Sequence, residues 1–144
     1  MNPPRAICTG FLDELVTVLR EDGEREPLAD ILPFVEGCDA RFEPRLRAAL
    51  VSAGAVFGQQ VPEHVLGVPF PIGPTIRGRR LDPAAVALLA LHDDLALGRL
   101  YRETSASCGE GAVTPELAGQ LRALVIQCRA AVANGWVVLV VEPA

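Results

Sequence analysis

No helix can cross residues 58–81. Pro62, Pro69, Pro71 and Pro74 are interleaved there with Gly58, Gly67, Gly73 and Gly78. Each proline removes an amide donor and each glycine loosens the backbone, so a regular helix ends wherever it enters this stretch. A connection this long is unusual inside a compact domain and is the kind that serves as a lid or binding loop. It also carries Val61, Val65, Leu66, Val68, Phe70, Ile72 and Ile76. Such a loop is expected to fold down over the core, with a short extended piece around Leu66–Ile76.

The stretches on either side follow helical periods. Thr9 is a candidate N-cap for a first helix to about Asp22, with Leu12, Leu15, Val16 and Leu19 on one stripe and Gly23 as its stop. Pro27 suits the first turn of a short second helix carrying Leu28, Ile31 and Leu32. Pro33 breaks or kinks it, and Gly37 closes the segment. A third helix starts at Asp39 or Glu43, with Pro44 near its first turn. It keeps Phe42, Leu46, Leu50, Ala53 and Phe57 in helical spacing up to Gly58.

Beyond the loop, Asp82-Pro83 supplies an N-cap and an N1 proline for a fourth helix to about Thr104. The Ser- and Gly-rich stretch Ser105–Val113 separates it from a fifth helix. There Thr114-Pro115 repeats the start signal, and Leu117, Leu121, Leu124, Cys128 and Ala131 form the apolar face. Asn134-Gly135 is a good C-cap. Trp136–Val141 is short, β-branched and apolar on both faces, the pattern of a buried strand. A strand needs a neighbour. The candidates are the 66–76 loop, an N-terminal segment, or the same strand in a second copy. The expected fold is therefore mainly α: a compact four- to five-helix domain with a long Pro/Gly loop and one C-terminal β-strand, with residues 1–144 as a single domain.

Composition narrows the function classes. Half the residues are hydrophobic and mean hydropathy is +0.29, which excludes a disordered chain. Formal net charge is −5, against the basic face that a general nucleic-acid binder needs. All 13 basic residues are arginine. With abundant Ala, Gly and Pro, that is the bias of a GC-rich genome and suggests a bacterial source. Asp13 and Glu14 interrupt any apolar run of a leader peptide, and no stretch reaches the 18 or more apolar residues of a membrane helix. The expectation is a cytoplasmic protein. Cys8, Cys38, Cys108 and Cys128 form no Cys-x-x-Cys pair and are expected as free thiols.

The fourth helix holds the candidate catalytic residues. With Val86 as origin on a 100° wheel, Leu89, Leu97, Leu100, Tyr101 and Thr104 fall within about 60° of it. Asp93 falls at about −20°, in the middle of this apolar stripe. A carboxylate there must find a partner, stay protonated or face a cavity. Asp93 is accordingly the candidate general acid or base, with His92 and Tyr101 assisting. The alternative is a buried acid tied to an arginine or to the amides of a helix start. His92 itself falls beside Arg99 and Glu103, either on a solvated polar stripe or at a cleft edge. Adjacent residues of a helix diverge by about 100°, so Leu91-His92-Asp93-Asp94 cannot gather on one metal. No metal ligand set is expected, although His64 and Glu63 are the nearest candidates from elsewhere.

Arg77, Arg79 and Arg80 form the dense basic cluster, just before a helix start, and are candidate ligands for an anionic group. The alternatives are internal ion pairs, or one arginine reaching Asp93 to clamp the loop over the helix. Cys108, in a Gly-flanked loop, is either a reactive or an ordinary exposed thiol. Cys128 should be buried. Neither a dinucleotide fingerprint nor a Walker loop is present. Two functional expectations follow. One is a small-molecule-binding protein, a cofactor-free acid/base enzyme of the isomerase, cyclase or dehydratase kind, using Asp93 in a mostly apolar pocket. The other is a non-catalytic module that homodimerises or binds a partner protein through Trp136–Val141.

Overall fold

The computed structural model describes residues 6–22, 42–74 and 76–143. In chain order the elements are β1 (Ala6–Gly10), α1 (Leu12–Asp22), α2 (Phe42–Phe57), β2 (Phe70–Pro71), β3 (Ile76–Arg80), α3 (Pro83–Ala90), α4 (Asp94–Ser107), α5 (Pro115–Asn134) and β4 (Val137–Pro143). The four strands make one antiparallel sheet in the order β1-β4-β3-β2.

This corrects the expected fold class. The protein is α+β, not mainly α with one strand. The apolar run Val137–Val141 is a strand, as its β-branched residues require. Its neighbours are both segments of the same chain: Ile7 and Arg79 flank Val140 from either side. With both edges occupied, β4 has no free edge for strand addition to a partner, so the proposed pairing surface at Trp136–Val141 is already used. The short helix expected at Pro27–Leu32, together with Pro33, Gly37, Cys38 and Asp39, lies outside the described residues.

Alternation along β4 splits the core in two. Val138 and Val140 join Ile7 from β1 on the face that receives α2–α5. There they meet Leu46, Leu50, Leu89, Leu97, Leu124 and other leucines in one cluster. Leu139 and Val141 point the other way, with Cys8, and are covered by Leu15 and Leu19 of α1 and by Ile72. The sheet is thus a middle layer, apolar on both faces, as the unbroken hydrophobic run implies. Thr9 is a polar position on the helical face, and its hydroxyl donates to Gln127 Oε1 at 2.6 Å.

β3 escapes recognition in sequence because it is Ile-Arg-Gly-Arg-Arg. Gly78 is closely covered: a Cβ there would lie 2.8 Å from Ile72 Cδ1 and 3.0 Å from Phe70 Cζ, so those side-chain tips would have to move. The 58–81 segment does pack down, as its apolar content demands. It is pinned to the sheet, with Gly67 N donating to Arg80 O at 2.8 Å and Asp82 N to Val65 O at 2.8 Å. Among the described residues, no helix is long and apolar enough to cross a membrane.

Candidate functional site

The single helix expected over 83–104 is two helices joined at an elbow. α3 opens as expected: Pro83 is at N1 and the Asp82 carboxylate accepts from Ala84 N at 2.8 Å. It ends with the tighter i→i+3 pattern, Leu91 N donating to Leu88 O and His92 N to Leu89 O, both at 3.3 Å. Asp93 then turns extended (φ −93°, ψ −175°), and its carboxylate accepts from Ala96 N at 2.8 Å. Asp93 is therefore the N-cap of α4, and Asp94 follows in its first turn, where the helix dipole favours negative charge.

The inward orientation expected of Asp93 is thus corrected: its side chain is exposed and has no arginine partner among the described residues. The periodic stripe misled because both helices rest on one core. Val86, Leu89, Leu97, Leu100 and Thr104 are all buried as the wheel predicts, while the elbow between them rotates residues 91–93 out of phase. Asp93→Ala should cost about 1 kcal/mol, the usual cost of losing a cap, and Asp93→Asn almost nothing. Urea unfolding of the two variants checks this; a much larger loss in the asparagine variant would require a charge-specific partner.

The residue that turns inward is His92, which is only 3% exposed instead of lying on the polar stripe with Arg99 and Glu103. Those two do pair, Arg99 Nε to Glu103 Oε1 at 2.7 Å. Ser52 donates to the other oxygen of Glu103, which with Arg99 holds that carboxyl below its ordinary range. The His92 ring stands edge-on to Phe57, the last residue of α2, with centroids 5.0 Å apart and planes at 87°. Its Nδ1 lies 2.9 Å from Leu89 O. A carbonyl only accepts, so Nδ1 carries the proton and Nε2 keeps the lone pair. Burial pushes the imidazole below its ordinary pKa, and the Arg129 charge acts in the same direction, while the Leu89 carbonyl and Asp93 oppose it. His92 is a neutral base at pH 7.

Around it the elbow forms an open cleft of about 360 Å³ lined by Ala90, Leu91, His92, Asp93, Asp94 and Arg129. The lining is mixed polar and apolar. Tyr101 is half-buried and is not among the residues that line this cleft. Burial raises its phenol pKa, and the charges of Asp94, Arg122 and Arg129 act on it. Of the three candidate catalytic residues, His92 and Asp93 line the cleft and Tyr101 does not; His92 is buried, and Asp93 caps α4. Arg129 was missed by the sequence reading. Its position beside Cys128, at the border of the α5 apolar stripe, is the signal that could have found it. Phe57, which fixes the imidazole ring, could not be found without the fold.

The basic cluster divides. Arg77 pairs with the buried Glu142 at 3.0 Å. Arg79 pairs with Glu43 at 3.0 Å and donates to Gly67 O at 3.2 Å. Arg80 makes neither kind of contact and borders a different cleft. None of the three reaches Asp93, and no described residue of 58–81 lines the elbow, so the described part of the loop does not cover it. Burial and the nearby Glu110 push the Cys108 thiol pKa up, with Arg45 opposing, and its Sγ donates to Pro44 O at 3.6 Å. Burial pushes the Cys128 thiol up to about 12. Among the described residues, no three His, Cys, Asp or Glu side chains gather in a way that could hold a metal ion. Comparison with known proteins finds no family model, no curated protein and no solved structure that matches this chain.

Proposed function

We propose that this protein binds a small hydroxyl-bearing anion in the elbow cleft and uses His92 as the general base toward it. The carrying observation is the Nδ1–Leu89 carbonyl bond, which commits the other ring nitrogen to accepting a proton. Three features support the reading. The imidazole is neutral at working pH by burial, the condition a general base needs. Arg129 stands in the same cleft and offers a guanidinium fork to a carboxylate. Asp93 and Asp94 leave the cleft mixed in charge, which favours a ligand that brings hydrogen-bond donors as well as an anionic end. Proton abstraction beside a carboxylate is the step shared by isomerases and dehydratases.

The chain has two histidines, and His64 is exposed, so it serves as an internal control. Imidazole nitrogen NMR at pH 7 should show His92 as the Nδ1–H tautomer. Added glycolate should shift the His92 signals saturably and leave His64 in place, and Arg129→Gln should abolish the shift. An unmoved His92 across glycolate, lactate and malate would remove the proposal.

A further inference from the structure

A second cleft lies at the opposite end of α3. It has a volume of about 130 Å³ and is formed where β3 runs into α3 and where α5 runs into β4. Its floor is Leu81, Val86, Ala131 and Val138, all buried and apolar. Pro83 and Val132 form its rim. Two of the lining side chains carry polar hydrogen-bonding groups: Arg80 and Trp136.

Both of those groups can only donate, the guanidinium through its fork and the indole through its N–H. Neither has an acceptor among the described residues, whereas Arg77 and Arg79 in the same strand are each committed to a carboxylate. Trp136 is held in place. Gly135 closes α5 in the left-handed region (φ 68°), Trp136 N donates to Ala131 O at 2.9 Å, and Phe11 stands edge-on to the indole with centroids 6.3 Å apart. Asp82, the nearest carboxylate in sequence, is occupied in capping α3.

An apolar floor with two unanswered donors at its border is complementary to a molecule with an apolar body and an acceptor at one end. The volume sets the body: an apolar cavity of about 150 Å³ admits benzene, so this cleft takes one ring or a branched chain of similar bulk. The Arg80 charge selects a carboxylate over a neutral acceptor. We infer that the cleft between Arg80 and Trp136 is a binding site for a small aromatic or branched-chain monocarboxylate. This site is independent of the elbow cleft, with which it shares no lining residue.

Trp136 is the sole tryptophan, so its emission reports on the site directly. Wild-type protein is titrated with benzoate, with isovalerate, and with benzamide as the uncharged counterpart of benzoate. The expected result is a saturable emission shift with both acids and a weaker affinity for benzamide. Arg80→Gln, at an exposed side chain, should weaken benzoate about tenfold, the worth of a hydrogen bond to a charged group, and leave benzamide unchanged. Arg102→Gln, also exposed, should alter neither. Val86→Phe fills the floor and should abolish both responses, with circular dichroism confirming the fold. No saturable shift with either acid, equal affinity for benzoate and benzamide, or benzoate binding unaffected in Arg80→Gln would each overturn the assignment.

Discussion

Leu139→Ala should lower the free energy of unfolding by about 2–5 kcal/mol, the range for a leucine removed from a sealed core. Leu139 is fully buried in the middle of the central strand β4. It faces the smaller of the two apolar clusters, with Cys8, Leu15, Leu19 and Ile72 around it. Truncation removes the contact that ties α1 to the sheet, and the rigid β1–β4–β3 ladder leaves little room for collapse into the hole. At the usual scaling for a chain of this size the melting temperature should fall by roughly 6–20 °C. Chemical and thermal denaturation measure it. A loss below about 1 kcal/mol would mean that α1 contributes no sealed layer on that face.

Arg45→Met should come next, at about 2–4 kcal/mol. Arg45 is 2% exposed. Its Nε and one terminal nitrogen grip both oxygens of Glu110 at 2.9 and 2.5 Å, and the other terminal nitrogen reaches Gln120 Oε1 at 2.7 Å and Glu116 at 3.2 Å. These charges hold the guanidinium protonated more firmly than usual. One residue of α2 thereby fixes the 108–114 connection and the first turns of α5. The figure sits below that for a fully sealed pair because Glu116 is half-exposed. Arg45→Lys should recover only part of the loss, since an ammonium cannot reproduce the planar fork. Urea unfolding of both variants separates geometry from charge; equal stability of Lys and wild type would reduce the cluster to a simple charge pair.

The helices and their caps were largely legible. Asp82-Pro83 and Thr114-Pro115 start helices, Gly135 closes one, and the stripes on α4 and α5 face the core. These signals are local, so a linear reading captures them. The sheet was legible only in β4, whose β-branched run has one interpretation. β1 hides because Thr9 resembles a cap for the helix that follows, yet its hydroxyl bonds to Gln127, over a hundred residues away. β3 hides because a strand with one apolar residue in five looks like a charged loop. At the candidate site, which side chain turns inward was not legible: His92 is buried and Asp93 exposed. Asp93 and Asp94 lie on a continuous apolar period with no glycine or proline to mark a break. The ring that His92 meets on turning inward is Phe57, which comes from another helix.

The inner strand β4 is synthesised after the other three described strands. Among the described strands β1 pairs only with β4, across a separation that makes Ile7 wait for Val140, and β3 has the two residues of β2 beside it until then. Such a distant closure is entropically slow to find. During translation the helices can associate early, while the two flanking strands stay as unsatisfied edges. A premature stop before residue 137 would remove both pairings of β4 and leave β1 without its ladder and β3 with only the two residues of β2.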